Sequence, residues 1–97
     1  VTQARAQLAR GEPALAAATL ERAMRIEPDN PLLWIELARL RLEQKDAEQA
    51  EGYARKALSL ATGDRRVQAE ANKVIAESLK AQGSTQEARA FEGRARG

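Results

Sequence analysis

The stretch Ala16-Ala17-Ala18-Thr19-Leu20-Glu21-Arg22-Ala23-Met24-Arg25-Ile26-Glu27-Pro28 returns 34 residues later as Ala50-Glu51-Gly52-Tyr53-Ala54-Arg55-Lys56-Ala57-Leu58-Ser59-Leu60-Ala61-Thr62. The register is carried by Ala16/Ala50, Leu20/Ala54, Ala23/Ala57 and Pro28/Thr62. A third copy runs through Ala76, Gly83, Ala88 and Ala95. Ala38 to Ala76 and Ala50 to Ala88 are both 38 residues, which places a four-residue insertion near 63–67. A fixed period of this length marks stacked supersecondary units, each burying its apolar face against its neighbours.

The punctuation within each unit divides it into two helices. Gly11 closes a first helix, and Pro13 suits the first turn of the next. Glu27-Pro28-Asp29-Asn30-Pro31 breaks the chain again, with Asn30 as N-cap and Pro31 at the first helical position. Lys45-Asp46 separates the third helix from the fourth, Asp46 acting as cap. Thr62-Gly63-Asp64 supplies a glycine stop and another cap, and Ser84 with Glu87 has capping-box spacing after Gly83. Helices are expected at about 2–10, 13–26, 31–44, 47–61, 65–82 and 85–95. Strand signals are absent, so the fold class is all-α: six antiparallel helices in three helix-turn-helix pairs.

Composition narrows the function. Of the 97 residues 21 are alanine, and the aromatics are Trp34, Tyr53 and Phe91 alone. Small alanines between large leucines suit close helix–helix packing. Histidine and cysteine do not occur. That removes imidazole acid–base catalysis, disulfide scaffolds and zinc sites built on those ligands. The remaining nucleophile candidates, Ser59, Ser78 and Ser84, have no histidine to activate them and no nucleophile-elbow context. No glycine loop is arranged to cradle a phosphate. The chain reads as a non-enzyme without metal or cofactor.

The net charge is +2, with basic and acidic residues interleaved. Pairs at i,i+4 in the favourable order include Glu21/Arg25, Glu51/Arg55 and Glu92/Arg96, each contributing roughly 0.2–0.5 kcal/mol. Residues 65–97 carry +3, but Glu70, Glu77, Glu87 and Glu92 interrupt the basic residues. A continuous basic stripe with stacking aromatics is lacking, which argues against nucleic acid as a partner. No apolar run is long enough to span a membrane. The chain opens at Val1, so a preceding segment of a longer protein is expected. Absence of cysteine suits either cytoplasm or periplasm.

Period, punctuation and small-residue positions together resemble the tetratricopeptide repeat (TPR) pattern over nearly the whole chain. Trp34, Leu37 and Ala38 match the first helix of that pattern, and Ala50, Ala54 and Ala57 the second. Gly11, Ala16, Leu20, Ala23 and Pro28 fit an earlier copy. Ile75, Ala76, Gly83, Ala88 and Ala95 fit a later one, in which Asn72 replaces the aromatic. The resemblance implies one domain over 1–97, with repeats of about 1–30, 31–64 and 65–97. The last helix, polar outside Ala88, Phe91 and Ala95, resembles the solvating cap such arrays need.

TPR domains commonly bind along the face lined by the first helix of each pair. On the 31–44 helix a 100° projection aligns Leu32, Ile35, Glu36, Arg39, Leu42 and Glu43. Leu33, Leu37 and Leu40 project elsewhere, so this helix is apolar nearly all round. Two readings of Leu32, Ile35 and Leu42 stand: packing against flanking helices, or aliphatic anchors of a partner groove around Arg39. The matching stripe on the 65–82 helix is Arg66, Glu70, Lys73, Glu77 and Lys80, either a solvated face or the polar rim of that groove. The partner-binding set expected is Leu32, Ile35, Glu36, Arg39, Leu42, Glu43, Glu70, Lys73 and Glu77. The carboxylate clamp of some TPR adaptors needs paired Lys and Asn on these faces. Here Arg5, Glu36, Arg39, Lys73 and Glu77 stand there with no Asn, so capture of an acidic C-terminal tail is disfavoured.

The run from Ala17 through Trp34 to Leu42, with Ala50-Glu51 and the Ile75-Ala76 helix, is similar to small TPR domains at the C-terminus of proteobacterial envelope lipoproteins. These include pseudomonad outer-membrane lipoproteins that activate a bifunctional peptidoglycan synthase, a penicillin-binding protein. The resemblance implies a non-catalytic activator in the periplasm, tied to the outer membrane only through a lipid anchor upstream of this chain. The alternative is a TPR adaptor or assembly chaperone, secretory or cytoplasmic, holding a peptide or helix of another partner in its groove.

Overall fold

A computed structural model describes residues 1–96. Its helices are α1 Thr2–Ala9, α2 Pro13–Ile26, α3 Pro31–Glu43, α4 Ala47–Leu60, α5 Arg65–Ala81 and α6 Thr85–Arg96. Each expected helix is present, with ends moved by a residue or so. The helices form three antiparallel pairs stacked into a slab of 34 × 29 × 17 Å.

The starts follow from side-chain capping. Asn30 accepts a hydrogen bond from the Leu32 amide at 3.0 Å, Asp46 from Gln49 at 3.1 Å and Asp64 from Val67 at 3.1 Å. Each satisfies one of the amides a helix start leaves orphaned. The stops of α1, α3 and α5 share one geometry. In each, two backbone hydrogen bonds fold the chain back over the last turn: Gly11 to Leu8 with Glu12 to Gln7, Lys45 to Leu42 with Asp46 to Arg41, and Gly83 to Lys80 with Ser84 to Leu79. This is the Schellman closure, which puts the residue after the cap in the left-handed region. Gly11 (φ 74°) and Gly83 (φ 85°) adopt it without penalty; Lys45 (φ 65°) does so with a side chain. A non-glycine residue there costs about 1–2 kcal/mol.

Two apolar clusters make the core, and α3 serves both. Leu33, Leu37 and Leu40 pack with Ala4, Ala16, Ala17 and Leu20 of the first pair. Ile35 and Ala38 pack with Ala54, Ala57, Ala71, Val74, Ile75, Leu79 and the α6 residues Ala88 and Phe91. Tyr53 touches both clusters. This double duty is why α3 is apolar nearly all round. At the crossings Ala38, Ala50, Ala54, Ala57, Ala71 and Ala88 have no exposed surface. Backbones come together there because a methyl group is all that separates them. Trp34 fills the space beside them: its ring lies 5.9 Å from that of Tyr53, and its Nε1–H donates to the Pro28 carbonyl at 2.8 Å. Asn72, the counterpart of Trp34 one repeat on, is 7% exposed, and its Oδ1 has no hydrogen-bond partner among the described residues.

Polar ties run within α4 and between neighbouring helices. Gln82 Nε2 donates to Glu51 Oε1 at 2.8 Å, and Arg55 Nε to Glu51 Oε2 at 2.7 Å. These bonds, the one from Gln82 foremost, lower the Glu51 pKa below the usual carboxylate range. Lys80 pairs with Glu92 at 2.7 Å and lowers that carboxylate likewise, chiefly through its hydrogen bond. Glu92 thus reaches across to α5, in place of the intrahelical Arg96 pairing that the spacing offered.

Two outcomes follow from this packing. Ala50→Leu inserts three carbons where no space exists and should lose about 1–3 kcal/mol. Thermal unfolding of the variant is expected several degrees below wild type; an unchanged midpoint contradicts the crossing geometry. A carboxylate whose pKa is depressed by folding contributes stability that is present above its unfolded value and lost as pH falls through the folded one. Melting temperature should therefore drop below about pH 4.5, and Glu51→Gln should make that drop shallower. Equal slopes for the two proteins would exclude Glu51 as a contributor.

Candidate partner-binding face

The first helices of the pairs, α1, α3 and α5, share a face crossed by a chain of charges. Arg5 donates to Glu36 Oε1 through Nη2 and through Nε, the latter at 3.2 Å. That bond, and then the negative charge of Glu36, raises the Arg5 pKa further above its ordinary value. Arg39 donates to the same Glu36 oxygen at 3.5 Å and pairs with Glu70 on α5. Glu36 and Arg39, both on α3, thereby tie α1 on one side and α5 on the other into one chain of charges. Because these side chains are partly exposed, each pair contributes about 0–1 kcal/mol, and their shared geometry matters more than their strength.

Two depressions meet at Arg39. One, of about 240 Å³, is lined by Arg5, Leu32, Ile35, Glu36, Arg39, Arg66, Val67 and Glu70. The other, of about 470 Å³, is lined by Arg39, Leu42, Glu43, Lys45, Lys73 and Glu77. All nine residues expected from the projection thus fall on one continuous surface, with α5 bordering Arg39 as anticipated. Their exposure differs. Leu32 is 47% exposed and leaves apolar surface open on this face, whereas Ile35 is 2% exposed and supports the floor from within the core. Leu42 is half-buried against the larger cluster. Packing therefore accounts for Ile35 and most of Leu42, while Leu32 stays accessible.

The sequence reading left out Lys45 and Val67. Lys45 looked like mere spacing between helices; only its left-handed backbone and its place at the groove edge distinguish it. A separate depression of about 320 Å³ lies between α2 and α4, lined by Glu21, Met24, Arg25, Trp34, Leu37 and Tyr53. It is a gap left beside the Trp34 knob, with Lys56 over the indole at 5.9 Å.

Two of the three serines are occupied by their own helices. Ser78 Oγ–H donates to the Val74 carbonyl at 2.8 Å, and Ser59 Oγ–H to Lys56 at 2.7 Å. Among the described residues no three acidic, histidine or cysteine side chains are grouped as metal ligands would be. No helix among them is long and apolar enough to cross a membrane.

A tetratricopeptide repeat family model matches residues 7–70. The chain belongs to the tetratricopeptide repeat family. The matched TPR segment ends before Asn72, where the third unit departs most from the pattern, and it includes the insertion near 63–67. Among solved structures, the TPR chain is similar to the globular C-terminal domain of P. aeruginosa LpoP. The two share 41% sequence identity with a TM-score of 0.94, over 99% of this chain and 91% of that one. No curated protein sequence matches.

Proposed function

We propose that this TPR domain is a non-catalytic interaction module that binds and activates a bifunctional peptidoglycan synthase of the penicillin-binding protein class. The observation that carries the reading is the likeness to the LpoP C-terminal domain, close in sequence and superposable over nearly the full chain. It agrees with the resemblance of residues 17–42 to lipoprotein activators of such synthases. The molecule would work in the periplasm, held to the outer membrane through a lipid anchor on a segment preceding Val1.

The physical side of the reading is a division of labour. Alanines on both helices of a pair set the crossings, Ala38 and Ala71 on α3 and α5 as well as Ala50, Ala54, Ala57 and Ala88 on α4 and α6, while α1, α3 and α5 turn a remaining stripe outward. That stripe is already rigid, because Arg5, Glu36, Arg39 and Glu70 brace one another across it. A braced surface loses little side-chain freedom on binding, so more of the contact energy appears as affinity. Activation then consists of favouring one conformation of the synthase through differential contact with it, the only way a bound protein can shift such an equilibrium.

The test is to add the purified domain to a purified bifunctional synthase and follow glycan polymerisation. Direct binding and a faster rate of glycan synthesis are expected. A folded sample that neither binds nor stimulates contradicts the proposal and leaves the adaptor reading, in which the same groove holds a peptide or helix of another protein.

A further inference from the structure

Four charged side chains around the larger depression are left without partners. Lys45 and Lys73 supply two cations, Glu43 and Glu77 two anions. None of the four forms an ion pair among the described residues, although Arg39 beside them is engaged by Glu36 and Glu70. Lys45 is also the residue whose backbone is strained. At the equivalent stops of α1 and α5 the chain places Gly11 and Gly83, with a φ close to that of Lys45. A Cβ built on Gly11 or Gly83 meets no atom within 4 Å, so at those two stops a side chain would make no packing contact through its Cβ. Lys45 thus stands in a backbone conformation that favours glycine, and its side chain lies at the edge of a groove with unpaired charge. Strain of this kind concentrates where a side chain has a task.

We propose that Lys45, together with Lys73, receives a carboxylate of the partner protein. Glu43 and Glu77 receive a basic side chain next to it in the same segment. The occupant is a mixed-charge segment rather than an acidic tail, because an all-acidic peptide would meet both glutamates. This inference rests on the proposed synthase-binding role of the groove and refines it to the chemistry of the bound segment.

The discriminating experiment exploits the strain. Lys45→Gly removes the charge and relieves the backbone, so its melting temperature should rise, while its affinity for the bifunctional synthase should fall about three- to tenfold. The loss should shrink as salt is raised, since screening weakens the wild-type contact. Lys45→Arg should bind like wild type, and Lys73→Glu should bind more weakly than Lys45→Gly. A Lys45→Gly protein that is more stable and binds the synthase as tightly as wild type overturns the inference while leaving the synthase reading intact. Failure of the wild-type domain itself to bind overturns both.

Discussion

The approach of helix backbones at alanine is the constraint on which the rest of this molecule depends. Ala38, Ala50, Ala54, Ala57, Ala71 and Ala88 are completely buried. Each marks a place where a larger side chain would separate two helices and, through the stacked geometry, tilt every later one. Close crossing on one side of α3 and α5 is what leaves their other stripe free of the core. The larger residues then have defined tasks: Leu33, Leu37 and Leu40 fill one cluster, Ile35, Val74 and Ile75 the other. With so few aromatics, Trp34 and Tyr53 become the bridge between the first and second pairs rather than a stacking platform.

The outward stripe is held by charge instead of packing. Glu36 takes a hydrogen bond from Arg5 and another from Arg39, and Arg39 continues to Glu70. Such exposed pairs add little to stability. Their effect is positional: they fix three helices relative to one another on the surface where a partner would sit, and they neutralise the centre of the groove. Among the described residues, four unpaired charges of both signs, Glu43, Lys45, Lys73 and Glu77, gather at one end, whereas Arg66 alone is unpaired at the other. The groove is therefore graded, from the exposed Leu32 at one end to a mixed-charge depression at the other.

Much of this was legible in the chain. The 34-residue recurrence of Ala16 and Ala23, the caps Asn30, Asp46 and Asp64, and the stops at Gly11, Gly63 and Gly83 defined six helices, because caps and periodicity are local. The 100° projection also gathered Leu32, Arg39 and Glu70 on one face. Depth was not legible. A helical wheel cannot tell that Ile35 points into the core while Leu32, three residues away, stays accessible; that depends on where α5 and α4 lie. Lys45 was invisible for a similar reason, since its left-handed φ follows from the Schellman closure and not from its identity. Glu92 went to Lys80 on the neighbouring helix because long side chains choose the partner that tertiary packing brings near.

The central proposal is that the face shared by α1, α3 and α5 is where this TPR domain meets a partner, the bifunctional synthase proposed above. Hydrogen exchange of the domain, alone and with the bifunctional synthase bound, tests it most directly. Slowed exchange is expected, centred on the C-terminal half of α3, the Lys45 turn and the facing turns of α5. The segments around Met24 and Tyr53, beside the α2–α4 depression, should be unchanged. Protection centred on Met24 and Tyr53, with the Arg39 face unaffected, would contradict it.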